Sequence, residues 1–147
     1  MAIAATDAQD RVEQLSLLTE RLTELVALSA QAFEEGRPHK AADQMEETTR
    51  LANIYRHESA RVRANPDLVA AAPLAERTRL IRATEAFDAV LARQGRAISA
   101  ARTVTEGLVK AIADEVAAQR SDATGYGPRS DQAANKAASA ITLNQRA

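Results

Sequence analysis

The sequence predicts an all-α fold: an elongated antiparallel helical hairpin packed on one long third helix, a three-helix, coiled-coil-like bundle, with a disordered C-terminal tail. Three observations predict it. Apolar residues recur at alternating spacings of three and four through most of the first 120 positions. Breaks containing proline or glycine divide that pattern into three runs. The 147 residues are 46% hydrophobic, yet include only two Phe, two Tyr and no Trp. Large aromatic side chains supply much of the area buried in a globular core, whereas narrow seams between helices need mainly Leu, Ile, Val and Ala. One bundle is therefore expected over 1–120, with helices near 6–35, 38–64 and 73–120, and a flexible tail over 121–147.

In the first run, Leu15, Leu18, Leu22, Leu25, Ser29 and Ala32 form one helical stripe. Thr6 is the expected N-cap, with Asp7 and Asp10 near the positive end of the helix dipole. Gly36-Arg37-Pro38 ends the run, because glycine suits a C-cap and proline cannot continue the hydrogen-bond ladder. So short a turn makes the next helix antiparallel. Its seam reads Ala41, Met45, Thr48, Ala52, Tyr55, Ser59 and Val62, with Leu51 and Ile54 on the shoulder. Small and polar residues make this stripe weak, so the second helix depends on its neighbours.

Asn65-Pro66-Asp67 interrupts the pattern and leads through Leu68 and Val69 to Pro73, which fits the first turn of a third helix. There the 4-3 spacing is sustained through Leu80, Thr84, Phe87, Leu91, Gln94, Ile98, Ala101, Thr105, Leu108, Ile112 and Glu115, with Val116 beside the last. At 1.5 Å per residue this helix spans on the order of 70 Å, and the first is about two-thirds as long. The hairpin cannot cover it along its entire length, so part of its apolar stripe lacks an internal partner. Leu15, Leu18, Leu22, Leu25, Leu80, Phe87 and Leu91 are assigned to the internal core. Gly95 reads as helix tolerance or close approach of a neighbour, and Gly107 either as that or as a point of flexibility. After Arg120 the periodicity stops, and Ser121-Asp122-Ala123-Thr124-Gly125-Tyr126-Gly127-Pro128 reads as a turn. The slightly apolar stretch Ala140–Gln145 is either an inert tail or a short docking strand.

Charge is uneven along the chain although the net value is only -1. Residues 1–50 carry ten acids and five bases, and residues 51–105 five acids and nine bases. Arg56, Arg61, Arg63, Arg77, Arg79 and Arg82 are interleaved with Glu58, Glu76, Glu85 and Asp88 and have no aromatic platform. That pattern favours charge pairing between helices over nucleic-acid binding. No cysteine is present, which removes disulfides and thiolate chemistry. No basic-then-apolar leader and no apolar run of about 20 residues is found, so the expected compartment is the cytoplasm.

Catalytic signatures are missing from the sequence. His39 and His57 lie in neither an HExxH nor a Glu-x-x-His pattern. Glu34-Glu35 and Glu46-Glu47 read as a solvated face. Gly125-Tyr126-Gly127 lacks the glycine spacing and lysine of a phosphate loop. The expectation is a non-enzyme with no cofactor and no metal, which works by binding another protein.

The layout resembles the FlgN-like flagellar export chaperones. The resemblance rests on the hairpin of residues 6–64, especially Glu46-Glu47-Thr48-Thr49-Arg50-Leu51-Ala52-Asn53-Ile54-Tyr55, on the Asn65-Pro66 linker, on the long helix of 74–120 and on Gly125-Tyr126-Gly127-Pro128. Two departures are that Gln94, Arg96 and Ser99 stand where such proteins often carry asparagines, and that the second helix is poor in lysine and leucine. The resemblance implies a cytoplasmic chaperone that binds hook-associated-type flagellar proteins before export. On that reading Ile98, Ala101, Leu108, Ile112 and Val116 receive an amphipathic client helix. The alternative for the same residues is burial in a homo-oligomer, as in a self-associating coiled-coil scaffold or adaptor.

Overall fold

The computed structural model describes residues 3–124. Its regular elements among these residues are all helical: α1 (Ala8–Glu34), a 3₁₀ helix (Pro38–Gln44), α2 (Met45–Ala64), a single turn α3 (Asp67–Ala70) and α4 (Leu74–Thr124). The chain divides into two compact units, one ending at Arg102 and the other beginning at Thr103, inside the 1–120 span expected of the bundle.

Asp7, rather than Thr6, caps α1, its carboxylate accepting the Asp10 N–H at 2.8 Å. Asp10 in turn accepts from the Thr6 N–H at 2.9 Å and the Thr6 hydroxyl at 3.2 Å, closing a reciprocal cap. The far end is closed by Gly36 at φ +69°, with the Arg37 N–H on the Ala32 carbonyl at 2.8 Å and the Gly36 N–H on Phe33 at 3.1 Å. This is the Schellman pattern that a left-handed glycine permits. Residues 38–44 then form a 3₁₀ helix and not the first turns of an α-helix. A 3₁₀ helix turns about 120° per residue against 100° for an α-helix, so the seam shifts phase across this stretch. Met45, expected on the seam, is consequently 61% exposed, while Ala41 is buried.

The first unit is organised around α1. Leu15, Leu22, Leu25 and Ala32 of the expected stripe are buried, and Val12, Ser16, Thr19, Val26 and Ala30 widen the buried face. The width follows from α1 meeting α2, α3 and the first part of α4. Leu22 and Val26 enclose Phe87, with Leu18, Leu51, Ala52, Tyr55 and Val90 packed around them. Tyr55 meets Phe87 edge-on at 5.1 Å, a favourable aromatic geometry.

Polar contacts give the directions of the helices. Arg11 pairs with Glu58 and Arg21 with Glu47, so α2 runs antiparallel to α1. Arg79 forks onto Glu20 at 3.0 and 2.9 Å, and Arg93 forks onto Glu34 at 2.8 and 2.7 Å. Both pairs are separated by 59 residues in sequence, so α4 runs parallel to α1 here. Glu34, Glu35 and Glu46, expected on a solvated face, are exposed and Glu47 is half-buried, while Glu34 and Glu47 are also bonded to arginines of neighbouring helices, and those hydrogen bonds hold both carboxyls below the ordinary range.

These clamps, with the Gln94 amide donating to the Ser29 hydroxyl at 3.0 Å, also fix the rotation of α4. Its inward line is Ala83, Phe87, Val90, Gln94 and Ala97, and not the expected Thr84, Phe87, Leu91, Gln94 and Ile98. Leu91, assigned to the core from sequence, is 40% exposed. Both lines have 4-3 spacing and share Phe87 and Gln94, and the arginine forks select between them. α4 is one uninterrupted helix through Gly95 and Gly107. A methyl group at either glycine would meet nothing within 4 Å, so close approach of a neighbour explains neither. Ser121–Thr124, expected as a turn, continue the helix, because no helix breaker precedes Gly125. The rest of the expected tail, with Gly125-Tyr126-Gly127-Pro128 and Ala140–Gln145, lies outside the described residues.

Glu58 is the one charged side chain with no exposed surface among the described residues. Its Oε2 accepts from Arg11 Nη1 at 2.8 Å, and its Oε1 accepts from the Ile3 N–H at 3.0 Å and Arg61 Nη1 at 3.1 Å. Burial pushes this carboxyl up, but the Ile3 N–H, Arg61 and Arg11 together outweigh it and hold the group below the ordinary glutamate range. Because the folded state favours the ionised form, the stability this group contributes is complete above about pH 4.3, the unfolded value, and is lost as pH falls through the lower folded value. Glu58→Gln should cost about 2 kcal/mol near neutral pH, and denaturant titrations at several pH values should show a shallower acid loss than wild type. Gly36→Ala should cost about 1 kcal/mol in the same titrations, since alanine resists the left-handed region.

Candidate protein-binding surface

The candidate site residues fall in both units. Ile98 and Ala101 belong to the first, where Ile98 is exposed and Ala101 half-buried. Leu108, Ile112 and Val116 belong to the second. Within residues 103–124, every side chain is exposed apart from a half-buried Arg120. Two apolar residues join the three expected ones: Val104 and Val109. Exposure across the five runs from 38% at Val116 to 72% at Val104. Exposed apolar side chains in this density, on one face of one element, make this stretch the candidate interaction surface.

Helical spacing makes that surface a ridge. Val104, Leu108, Ile112 and Val116 follow one another at four-residue intervals over about 18 Å of helix axis, with Val109 on the shoulder. Ridges of this spacing are what one helix inserts into the grooves of another. The strict 4-3 template passed over Val104 and Val109 by placing Thr105 on the seam, and the i, i+4 spacing was the signal that finds Val104.

The flanks of the ridge carry charge of both signs. Glu106, Lys110, Asp114, Glu115, Arg120 and Asp122 are distributed along the same helix, and Gln119 donates to Glu115 at 3.2 Å. Charge at the rim of an apolar strip fixes register and rejects wrong partners more than it adds affinity.

Other features of the described residues are less specific. An open groove in the first unit is lined by Leu74, Ala75, Thr78 and Arg82, but its two opposed charges, Glu20 and Arg79, are bonded to each other. His39 and His57 are both exposed. Among the described residues, no group of three or more His, Cys, Asp or Glu side chains is placed to hold a metal ion. No described helix is long and apolar enough to cross a membrane.

Comparison with known proteins adds a relationship that geometry alone does not supply. No family model matches the chain, and no solved structure matches it. A curated relative from Caulobacter vibrioides, the flagellar basal-body protein FlbY, is 64% identical over 151 aligned positions that cover all of both chains. The flagellar connection agrees with the resemblance drawn from the sequence, although the relative's name specifies the basal body and not an export chaperone. With identity at that level from end to end, the chain belongs to the family of the flagellar basal-body protein FlbY.

Proposed function

We propose that this chain is a non-enzymatic, cytoplasmic assembly factor of the flagellum, which holds helical segments of hook-associated-type proteins before their export. The observation that carries the reading is the exposed ridge of Val104, Leu108, Ile112 and Val116. An amphipathic client helix laid along it would find apolar anchors at helical spacing and a charged rim, and the ridge would enter the groove between side chains of that client helix. Shielding such a client helix would keep its apolar face from aggregating. Membership of a family with a flagellar relative supplies the context. The name of that relative favours a second reading, in which the same ridge docks on a component of the basal body.

The two readings differ in what binds. Purified chain should retain a hook-associated-type protein in a pull-down, and Leu108→Asp with Ile112→Asp should reduce retention by tenfold or more. Both residues are exposed, so the melting temperature should stay within about 2 °C of wild type. Retention of basal-body components alone would establish the second reading. Undiminished capture by the double variant would remove the ridge from either.

A further inference from the structure

Nothing among the described residues covers the ridge, and residues 125–147 follow it in the sequence. The first of them, Gly125-Tyr126-Gly127-Pro128, have the composition of a turn and a length that joins antiparallel helices. With Val109 and Val116 at one seam position and Ile112 at the other, Leu108, Glu115 and Asp122 share one flanking position at seven-residue intervals. Past the turn, Arg129, Lys136 and Leu143 also recur at sevens. In an antiparallel pair of helices a flank faces its own counterpart. Asp122 then meets Arg129, Glu115 meets Lys136 and Leu108 meets Leu143, acid against base twice and apolar against apolar once.

The same register fills the seam. Val116 falls opposite Ala133, Ile112 opposite Ala137 and Val109 opposite Ala140, each large side chain against a small one. Flank pairs and seam pairs differ in level by two residues, about 3 Å along the axis, which a lysine or arginine side chain spans. An alanine seam buries little area. A connection as short as residues 125–128, however, holds the two stretches at an effective concentration on the order of millimolar.

From this correspondence we infer that residues 129–143 fold back antiparallel on residues 108–122 of the same chain and cover the ridge in the free protein. The inference rests on the exposed ridge and not on the client reading. If a client helix does bind there, it has to displace the chain's own C-terminal segment first.

The chain has no cysteine, so a pair introduced on the seam reports the contact without background. In the full-length chain, Ile112→Cys with Ala137→Cys should close an intramolecular disulfide under mild oxidation in dilute solution. The control, Lys110→Cys with Asn135→Cys, has the same separation in sequence, but Lys110 lies about 200° around the helix from Ile112. The seam pair should close at least about tenfold faster than the control. Added to the seam pair, Glu115→Lys or Lys136→Glu should each slow closure by about threefold, and the two together should restore it. That recovery separates a lost contact from a damaged fold. A seam pair no faster than the control overturns the inference, and so does a charge exchange that fails to recover. A disulfide-linked dimer as the main product also overturns it, because a second copy would then occupy the ridge. None of these outcomes bears on client capture, which is read with Leu108→Asp and Ile112→Asp.

Discussion

A buried carboxylate needs donors for both of its oxygens, and Glu58 draws them from three separate pieces of chain. Arg11 comes from α1, Arg61 from the same helix as Glu58, and the Ile3 N–H from the segment ahead of α1. Ion pairs of this kind are weak evidence for net stability, because desolvation offsets much of the attraction. Their effect here is on specificity. Sliding α2 along α1 by one turn would leave a charge with no exposed surface and fewer donors, which is costlier than most errors of apolar packing. The weak apolar seam of α2, made largely of half-buried side chains, can therefore be tolerated.

With α2 placed, α1 still has a face to cover, and α4 covers it by a different device. Phe87 is the large apolar group that the first part of α4 inserts, against Leu22, Val26 and Tyr55. Around it stand the two arginine forks and the Gln94–Ser29 bond. Each exposed fork is worth little in free energy, but a bidentate guanidinium has a narrow choice of geometry. Together they select the inward line of α4 between two candidates of equal periodicity. That selection leaves Leu91 and Ile98 on the outside.

Number, order and type of the long helices were legible because 4-3 spacing and the breaks at Gly36-Arg37-Pro38 and Asn65-Pro66 are local properties of the chain. The 3₁₀ stretch was not legible, since Pro38 opens either kind of helix equally well. Glu58 was hidden for another reason. On paper it is one acid among several interleaved with arginines, and its deciding partner, Arg11, lies 47 residues upstream. The surface was readable in part. Leu108, Ile112 and Val116 follow from the heptads, whereas Val104 and Val109 fall off a template that assumes supercoiling around a single seam. The 64% identity to a flagellar protein could not be inferred from any pattern in the residues.

The constant offset of 59 residues between Glu20 and Arg79, and again between Glu34 and Arg93, makes the two helices a matched pair of rulers. One residue added to or removed from α4 between the arginines would swing Arg93 about 100° around the axis and shift it about 1.5 Å along. The second fork would then open while the first stayed closed. A change of equal length in the same interval of α1 would be needed to bring the graduations back into line. Length variation in the first unit is therefore coupled between these two stretches, although they are far apart in sequence, while the turns that join the helices remain free to lengthen.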